Sequence, residues 1–406
     1  SMKKKYLFFI SLFILSVIDL IFYNHYNVNN VYEDDNLNNS NNINKGISMN
    51  LEQTAGAGDY KTVTQSEWPT EGYKFNAELS KCENGSTISW DDTLKAIKVN
   101  GRLTDKCNFY FDKTLSLSSY IISQYTGTQG ENSLYYHDSN LENGAGDNSY
   151  RYAGANPNNY VCFGSGLSPC PTENLYRIIG VFDNKVKLIK YDYANSNLLG
   201  MDGNYFGSIT MDETTYKGIL TTLDRYQWSS SDNVWSKSNL NIVNLNTNYI
   251  ANIGTEWVNK IATTAWKAGG APYTYTYATM PTTAYKYEVG SGSSSTTYDA
   301  KIGLMYVSDY YYAASPSAWA LMGNNSDPSK DYRSATDINW MYMGYYEWTI
   351  SSLSDSSGFA FGIYGAGYVN RHSIYGDYGC RPTFYLNASV GYSSGSGTMD
   401  SPIILS

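Results

Sequence analysis

The pattern of apolar and polar positions changes sharply near the start of the chain. A cluster of three lysines precedes an apolar run from Tyr6 to Ile18, which Asp19 interrupts and which continues to Tyr23. A basic flank followed by an apolar core is typical of an export signal. The uninterrupted run fits a cleaved signal peptide, and the full run approaches the roughly 20 residues of a membrane-anchoring helix. Residues 1–23 are therefore predicted to be a signal anchor or a signal peptide, with the remainder outside the cell.

Two short regions with different patterns follow this segment. Residues 24–60 are rich in Asn and poor in large apolar residues, which predicts a solvated tether. Residues 61–126 are predicted to form a small β module, with strand-like stretches at Thr87–Trp90 and Cys107–Phe111 and a turn at Asn84-Gly85. Residues 127–158, rich in Gly, Asn and Asp, are interpreted as a connector into the main domain.

The main domain, residues 159–406, opens with the clearest hairpin pattern in the chain. Two strand-like segments, Leu175–Phe182 and Lys185–Tyr191, flank the two-residue break Asp183-Asn184. Helical spacing follows at Ser238–Ile253 and after Thr255, whereas alternating Tyr and Thr over Tyr273–Tyr287 predicts a β ribbon. Further β segments are predicted at Ile302–Val307, Trp348–Ile350, Gly358–Ile363, Cys380–Leu386 and Pro402–Leu405. The pattern predicts an α+β mixed domain with few helices.

Five cysteines stand at positions that suggest local pairing. In an exported protein the economical assignment joins Cys82 to Cys107 and Cys162 to Cys170, because each pair lies within one short segment. Cys380 is then left over. It is a buried thiol, an intermolecular bridge, or a sign of a different pairing.

Charge and composition exclude some classes of function. The formal net charge is −9 and the chain has no long basic run, so it lacks the electrostatic footprint of a protein that binds nucleic acid. With three histidines in the whole chain, little material is available for His-based metal sites or proton relays. The candidate site therefore has to be sought among other side chains.

Aromatic residues are concentrated in the last third of the chain, among Gly, Ser, Asn and Asp. This mixture is typical of binding loops, although the same composition also places some rings in the core. Trp348, beside a strand-like Thr-Ile pair, is expected in the core. The predicted ligand-binding residues are Tyr310, Tyr311, Tyr312, Trp340, Tyr342, Tyr345 and Tyr346 in a first loop system, around 309–346, and Tyr364, Tyr368, Asn370, Arg371, His372, Tyr375, Asp377 and Tyr378 in a second, at 354–378.

Catalytic and metal-binding patterns are weak. The loop carboxylates available for glycoside hydrolysis, Asp309, Asp331, Asp337, Glu347 and Asp377, show no spacing that singles out a pair. No serine nucleophile elbow is present. Residues 138–148 resemble a calcium loop in composition, but Asn143 stands where an EF-hand needs Gly and Ser149 where it needs Glu. No cofactor and no catalytic residue are predicted, and a structural Ca²⁺ at this loop stays open.

Several strings resemble a known group of proteins. They are Asn159-Tyr-Val-Cys-Phe-Gly164, Asn174-Leu-Tyr-Arg-Ile-Ile-Gly-Val-Phe182, Lys301-Ile-Gly-Leu-Met-Tyr-Val-Ser-Asp309, Glu347-Trp-Thr-Ile-Ser351 and Gly379-Cys-Arg-Pro-Thr-Phe-Tyr-Leu386. They look like an uncharacterised family of exported surface proteins of gut Firmicutes and Mollicutes-like bacteria. The Trp strand, the Gly/Tyr/Asn-rich stretch and the closing Arg-Pro strand are also similar to the C-type lectin-like fold. That fold includes the variable proteins of diversity-generating retroelements and relatives of the formylglycine-generating enzyme.

The resemblance implies a fold and a division of roles. Trp348, Arg381 and Pro382 would be structural, and the residues between these two strands, from Tyr364 to Tyr378, would be exposed. The Glu-Pro-Asn, Gln-Pro-Asp and Trp-Asn-Asp strings of calcium-dependent sugar-binding lectins are absent, as are the paired cysteines of formylglycine generation. The expected protein is a non-enzymatic surface receptor or adhesin, tethered to the membrane or secreted, whose lectin-like head binds a protein or glycan. Two alternatives stay open, a cell-wall or glycan-acting enzyme and a passive surface-layer or appendage subunit.

Overall fold

The computed structural model describes residues 46–63, 69, 72–92, 94–102, 105–212, 214–273, 281–290, 293, 295–321 and 337–406. The predicted N-terminal hydrophobic helix and most of the predicted tether lie outside these residues. Within these ranges, no helix combines the length and the apolar character that crossing a membrane requires.

The chain divides between Leu115 and Ser116 into two compact units. The first contains short strands, and the longest of them, Lys106–Lys113, alternates in burial, as expected for a sheet with one face on a core. They are β1 (Gly46–Glu52), β2 (Tyr60–Val63), β3 (Tyr73–Phe75), β4 (Lys81–Cys82), β5 (Thr87–Asp91), β6 (Ala96–Asn100) and β7 (Lys106–Lys113).

A five-stranded sheet organises the first unit. Its order is β2-β1-β7-β3, with β4 also paired to β7, and β1 runs parallel to β7. Met49, Phe109 and Phe111 are buried between the strands, and the predicted disulfide Cys82–Cys107 is present. Residues 46–60 were predicted as tether, but this region contains β1 and the start of β2. The tether prediction was wrong there because Ile47, Met49 and Leu51 alternate with polar residues and form a strand.

The second unit, from Ser116 onward, is mixed α+β, mostly sheet with few helices. Its strands are β8 (Leu134–Tyr136), β9 (Tyr150–Tyr152), β10 (Tyr160–Cys162), β11 (Leu175–Phe182), β12 (Lys185–Lys190), β13 (Tyr205–Thr210), β14 (Thr222–Gln227), β15 (Thr264–Ala268), β16 (Thr296–Ala300), β17 (Ile302–Gly303), β18 (Glu347–Ser352), β19 (Phe359–Ile363), β20 (Val369–Ser373), β21 (Asp377–Tyr378), β22 (Thr383–Tyr385), β23 (Tyr392–Ser394) and β24 (Ile404–Leu405). Its α-helices are α1 (Leu117–Ser123), α2 (Ser196–Leu199), α3 (Ile250–Ile253), α4 (Thr255–Asn259), α5 (Pro281–Glu288) and α6 (Val307–Tyr312). A π-helix spans Leu240–Tyr249, and 3₁₀ turns lie at Glu131–Ser133, Thr172–Asn174, Trp235–Lys237 and Pro316–Leu321.

The predicted hairpin is the centre of a seven-stranded sheet. Strands β11 and β12 pair antiparallel across Asp183 and Asn184, which both have positive φ as a type I′ turn requires. The sheet order is β17-β22-β12-β11-β9-β8, and β10 also pairs with β11. Strands β8 and β9 arise from residues 127–158, so the segment predicted as a connector contributes to this sheet.

Two tryptophans fix β14 and β18 relative to each other without strand pairing. The indole N–H of Trp348 donates to the carbonyl oxygen of Tyr226 at 2.7 Å, and that of Trp228 donates to Thr349 at 2.9 Å. Both rings are fully buried. The prediction that Trp348 belongs to the core is correct.

Two predicted β segments differ from the structure. The described part of the expected ribbon Tyr273–Tyr287 contains α5, which begins at Pro281, a residue favoured in the first turn of a helix because it needs no N–H partner there. The segment Ile302–Val307 forms only the two-residue β17 and then enters α6. The predicted helical spacing over 238–253 and after Thr255 is confirmed by the π-helix, α3 and α4.

Candidate functional site

A tight hairpin turn presents the second predicted loop system. Strands β19 and β20 pair from Phe359 with Ser373 to Ile363 with Val369, and residues 364–368 connect them. The amide of Tyr364 donates to the carbonyl of Tyr368, and Gly367 takes a positive φ of 94°. Glycine is suited to that position because it carries no Cβ.

Two buried tyrosines hold this turn from the interior. The Tyr310 hydroxyl donates to the Gly367 carbonyl at 2.6 Å, and the Tyr342 hydroxyl donates to the Gly365 carbonyl at 2.7 Å. Because buried polar groups need partners, these bonds fix the loop backbone at two points. Both tyrosines were predicted as ligand-binding, yet the structure places them beneath the loop.

Four half-buried rings form a continuous row at the surface, which we call the tyrosine platform: Tyr346, Tyr364, Tyr368 and Tyr378. Tyr368 stacks on Tyr364 at 4.8 Å between ring centroids, and Tyr364 meets Tyr346 edge-on at 4.5 Å. Tyr346 in turn stacks on Tyr378 at 5.2 Å. These separations lie in the range of favourable aromatic pairs.

His372 lies under the tyrosine platform. Its ring contacts Tyr378 at 4.7 Å and stacks near Tyr364 at 5.8 Å. Burial lowers the pKa of His372 to about 4, because the imidazolium would lose hydration there. The side chain is therefore a neutral support at pH 7, which differs from its predicted exposed position.

Polar side chains surround the tyrosine platform. Arg371 is exposed and its guanidinium lies over the rings of Tyr273 at 4.0 Å and Phe359 at 4.9 Å. Asn370 is half-buried on the same strand, and Asp377 is ion-paired with Arg225. Tyr375 is 52% exposed and donates its hydroxyl to the Ser231 carbonyl.

The first predicted loop system does not form an exposed face. Tyr310, Tyr311, Tyr312, Trp340 and Tyr342 are all at most 4% exposed. Helix α6 and the segment before β18 pack them into one core cluster. From this system only Tyr345 and Tyr346 remain half-buried, and Tyr345 packs edge-on against Tyr346. The prediction of ligand contact for these five residues does not fit their positions, because their large aromatic rings are buried in this core cluster.

The predicted structural residues lie in the interior. Trp348, Arg381 and Pro382 are buried. The Arg381 guanidinium donates to Glu347 at 2.6 Å and to the Met341 carbonyl at 2.7 Å. Burial raises the pKa of Glu347, and Arg381 opposes that effect. This pair ties β18 to the segment that leads into β22.

The carboxylates considered for hydrolysis are mostly paired with bases. Asp309 pairs with Lys187, Glu347 with Arg381 and Asp377 with Arg225. Asp337 is exposed, and Asp331 lies outside the described residues. A carboxylate held by a base is poorly placed to act as a general acid.

A polar cavity of about 390 Å³ opens beside the hairpin of β11 and β12, and the sequence analysis did not anticipate it. Charged side chains and aromatic rings line it. The bases are Arg151, Lys185, Lys187 and Lys267, the acids are Asp147, Asp183 and Asp309, and the rings are those of Phe182, Tyr285, Tyr306 and Tyr385. These residues come from six separate segments, so no local motif could have signalled the cavity.

Buried ion pairs form one wall of this cavity. Lys187 contacts Asp309 at 2.6 Å, and Arg151 contacts Asp147 at 2.6 Å and Asp309 at 3.8 Å. Burial lowers the pKa of Lys187 and would lower that of Arg151, but Asp147 and Asp309 outweigh it and raise the Arg151 pKa. Asp147, from the loop considered for Ca²⁺, is thus engaged by a guanidinium. No group of three or more His, Cys, Asp or Glu side chains arranged to hold a metal occurs among the described residues.

The predicted cysteine pairing in the second unit is also present. Cys162 and Cys170 form a disulfide, and the Cys380 thiol is free and buried. Burial raises the pKa of Cys380 well above that of an exposed thiol, so the reactive thiolate is disfavoured.

Comparison of the chain with protein-family models, with curated proteins and with solved structures found no match.

Proposed function

We propose that this chain is an exported, surface-tethered recognition or adhesion protein that binds a protein or glycan through the tyrosine platform and catalyses no reaction. The single observation that carries the proposal is the row formed by Tyr346, Tyr364, Tyr368 and Tyr378 on a hairpin whose backbone is held from beneath. Tyrosine offers a large amphipathic contact area with few rotatable bonds. A loop fixed before binding loses little conformational entropy on binding.

The arrangement also supports a C-type lectin-like head as part of this proposal. The Trp348 strand and the Arg381-Pro382 segment are buried, and three of the four platform residues, Tyr364, Tyr368 and Tyr378, lie between them in sequence, which fits what the resemblance implies. Paired carboxylates and the missing lectin calcium strings favour recognition without bound Ca²⁺. The basic and apolar start of the chain supports export and a membrane tether.

The direct test is binding by the full chain to a glycan array and to an array of extracellular proteins. The variant Y364A/Y368A should lose binding at least tenfold while it remains folded with a cooperative melting transition, since both rings are only half-buried at the surface. The matched control is Leu167→Ala, because Leu167 is 66% exposed and lies outside the platform. Unchanged binding by Y364A/Y368A would remove the platform as the site. A folded chain that binds nothing on either array would contradict the recognition function.

We also propose that the hairpin is a target of a diversity-generating retroelement. Backbone anchoring by Tyr310 and Tyr342 would allow its side chains to vary while its shape is kept. Sequencing the gene and its flanks from sibling isolates tests this. Adenine-centred substitutions in codons 354–378 beside a reverse transcriptase gene are expected, and a stretch as constant as the Arg381-Pro382 segment would exclude this proposal.

No specific observation favours the two alternatives. A glycan-acting enzyme would need two carboxylates placed for catalysis, and three of the five that were considered, Asp309, Glu347 and Asp377, are held by bases. An appendage subunit linked through Cys380 would need an accessible thiol, whereas this one is buried.

A further inference from the structure

Lys187 and Asp309 meet in the interior although they lie 122 residues apart in the chain. Lys187 is on β12, in the middle of the seven-stranded sheet, and Asp309 is in the first turn of α6. Their Nζ and Oδ2 atoms are 2.6 Å apart, and the side chains are 0% and 2% exposed. Complete burial of a primary amine against a single carboxyl group is uncommon, because Lys and Asp are rarely fully buried.

Aromatic rings enclose the amine. The Lys187 Nζ lies 4.3 Å from the centroid of Tyr306, 5.1 Å from Tyr385 and 5.4 Å from Trp266. The faces of these rings attract the ammonium, whereas its loss of hydration in the interior disfavours the charge. Burial accordingly lowers the pKa of Lys187. The neutral amine is the nucleophile that condensation with the Asp309 carboxyl group requires.

The carboxyl group of Asp309 is held in place by its own helix and by a second buried acid. The Tyr306 amide donates to Asp309 Oδ2 at 2.8 Å. The two oxygens of Glu288 accept the amides of Val307 and Ser308, each at 2.9 Å, and so fix the start of α6. Two reacting groups held in contact in this way have a high effective concentration, which favours a bond that would not form between the free groups in water.

We propose that Lys187 and Asp309 form an intramolecular isopeptide bond. The proton moves from Nζ to Oδ2 along their hydrogen bond, and the nitrogen lone pair attacks Cγ of Asp309. Oδ1 takes the negative charge of the tetrahedral intermediate, and Arg151, with Nη1 at 3.8 Å from Oδ1, stabilises it. The bond from Cγ to Oδ2 then breaks, and Oδ2 leaves as water with a second proton from the nitrogen. One N–C bond forms, one C–O bond breaks, and no oxidant or other reactant is required.

The cavity beside the pair completes the arrangement. Lys187 and Asp309 both line its wall, so the released water has a route out of the interior. By contrast, the equally buried pair of Arg381 and Glu347 has the same 2.6 Å separation but offers a guanidinium, which does not lose its proton in proteins and is not a nucleophile. Arg381 and Glu347 are therefore a buried ion pair of the same geometry that cannot form an amide bond.

The test is the mass of the folded full chain after its disulfides have been reduced. The wild type should weigh less than its sequence predicts by the mass of one water molecule. Trypsin digestion of the denatured chain should yield one branched peptide that joins residues 186–190 to residues 302–330, because a modified Lys187 is no longer cleaved. A wild-type mass that equals the sequence mass, with the two peptides separate, would overturn the proposal without reference to any variant.

Two variants exclude dehydration elsewhere in the chain. Lys187→Arg keeps the positive charge but cannot form the amide, so it should show its full sequence mass. Asp309→Asn should lose ammonia instead of water and give the same branched product as the wild type. If Lys187→Arg also loses water, the modification lies at another residue and the assignment to this pair is wrong.

Discussion

The hydroxyl group of Tyr310 reaches from the core to the carbonyl oxygen of Gly367 and donates a hydrogen bond of 2.6 Å. Tyr342 does the same for Gly365. Both acceptors belong to the backbone of the turn that carries Tyr364 and Tyr368. The shape of the exposed loop is therefore determined by side chains that no ligand can reach.

Replacing both hydroxyl groups should loosen this turn. The variant Y310F/Y342F removes the hydroxyl partners of the buried Gly367 carbonyl and the half-buried Gly365 carbonyl, and each lost bond should lower the free energy of unfolding by about 1 kcal/mol. Urea unfolding measures the stability, and hydrogen exchange at the Gly367 amide measures the local effect. Tyr375→Phe is the control, since its hydroxyl bonds the Ser231 carbonyl at an exposed position outside this turn. A double variant as stable as the wild type would show that the turn holds itself.

A methyl group at Gly362 should be far more damaging than one at Gly358. A Cβ at Gly362 would lie 2.7 Å from the Glu347 carbonyl and 2.9 Å from His372 Cδ2, so β18 and β19 would have to separate. We expect Gly362→Ala to cost about 1–3 kcal/mol, as overpacking does. Gly358→Ala meets no atom within 4 Å and should change little. Thermal melts of the two variants make the comparison, and equal melting temperatures would contradict the packing of these strands.

His372 should make the fold less stable in acid. Burial lowers its pKa from 6.5 to about 4, so between these values the unfolded chain binds more protons than the folded chain. The free energy of unfolding should therefore fall as the pH drops from 6.5 to 4, by about 3 kcal/mol at 1.4 kcal/mol for each pH unit of the difference. Above pH 6.5 this residue should contribute no pH dependence.

The variant His372→Phe isolates the contribution of His372 to this pH dependence, because it removes the titrating group and keeps a ring under the tyrosine platform. His137, whose pKa burial also lowers, remains in both proteins and cancels. Urea unfolding at a series of pH values should show a steeper acid loss in the wild type than in the variant. Parallel curves would mean that His372 is protonated as easily in the fold as in the unfolded chain.

The first unit should depend on its disulfide more than on its core. Its buried cluster is small, and Cys107 is itself one of the buried residues. The variant C82S/C107S reopens a loop with a sequence separation of 25 and should cost about 3 kcal/mol. Limited proteolysis should then cut the first unit while the second resists. The single variant Cys380→Ser, at a free thiol, is the control for losing a cysteine.

Local patterns predicted the parts of the fold that local forces decide. The hairpin of β11 and β12, the strands β18 and β19 and both disulfides each depend on residues close in sequence, and the structure contains them. The alternation before Tyr287 predicted a ribbon, but Pro281 can begin a helix and the packing of that segment decided the outcome. The spacing of apolar residues alone does not distinguish a strand from a helix in such a short segment.

The sequence indicated tyrosines as the main residues of the candidate site, but only some of the predicted tyrosines lie at the surface. Tyr364, Tyr368 and Tyr378 are half-buried at the surface, while Tyr310 and Trp340 are buried, and all five occur in similar local sequences. Which rings face inward depends on contacts between distant segments, such as that of Tyr310 with Gly367. The contact of Lys187 with Asp309 spans 122 residues and leaves no local signature at all.

The exchanged indole hydrogen bonds of Trp228 and Trp348 also have an optical consequence. Each buried indole donates to a carbonyl on the other strand, so the emission of both rings depends on the spacing between β14 and β18. The ring centroid of Tyr378 lies 4.6 Å from that of Trp348, so Tyr378 connects this pair of indoles to the tyrosine platform. Binding at the platform should therefore change the intrinsic fluorescence of these two buried tryptophans, without any added label.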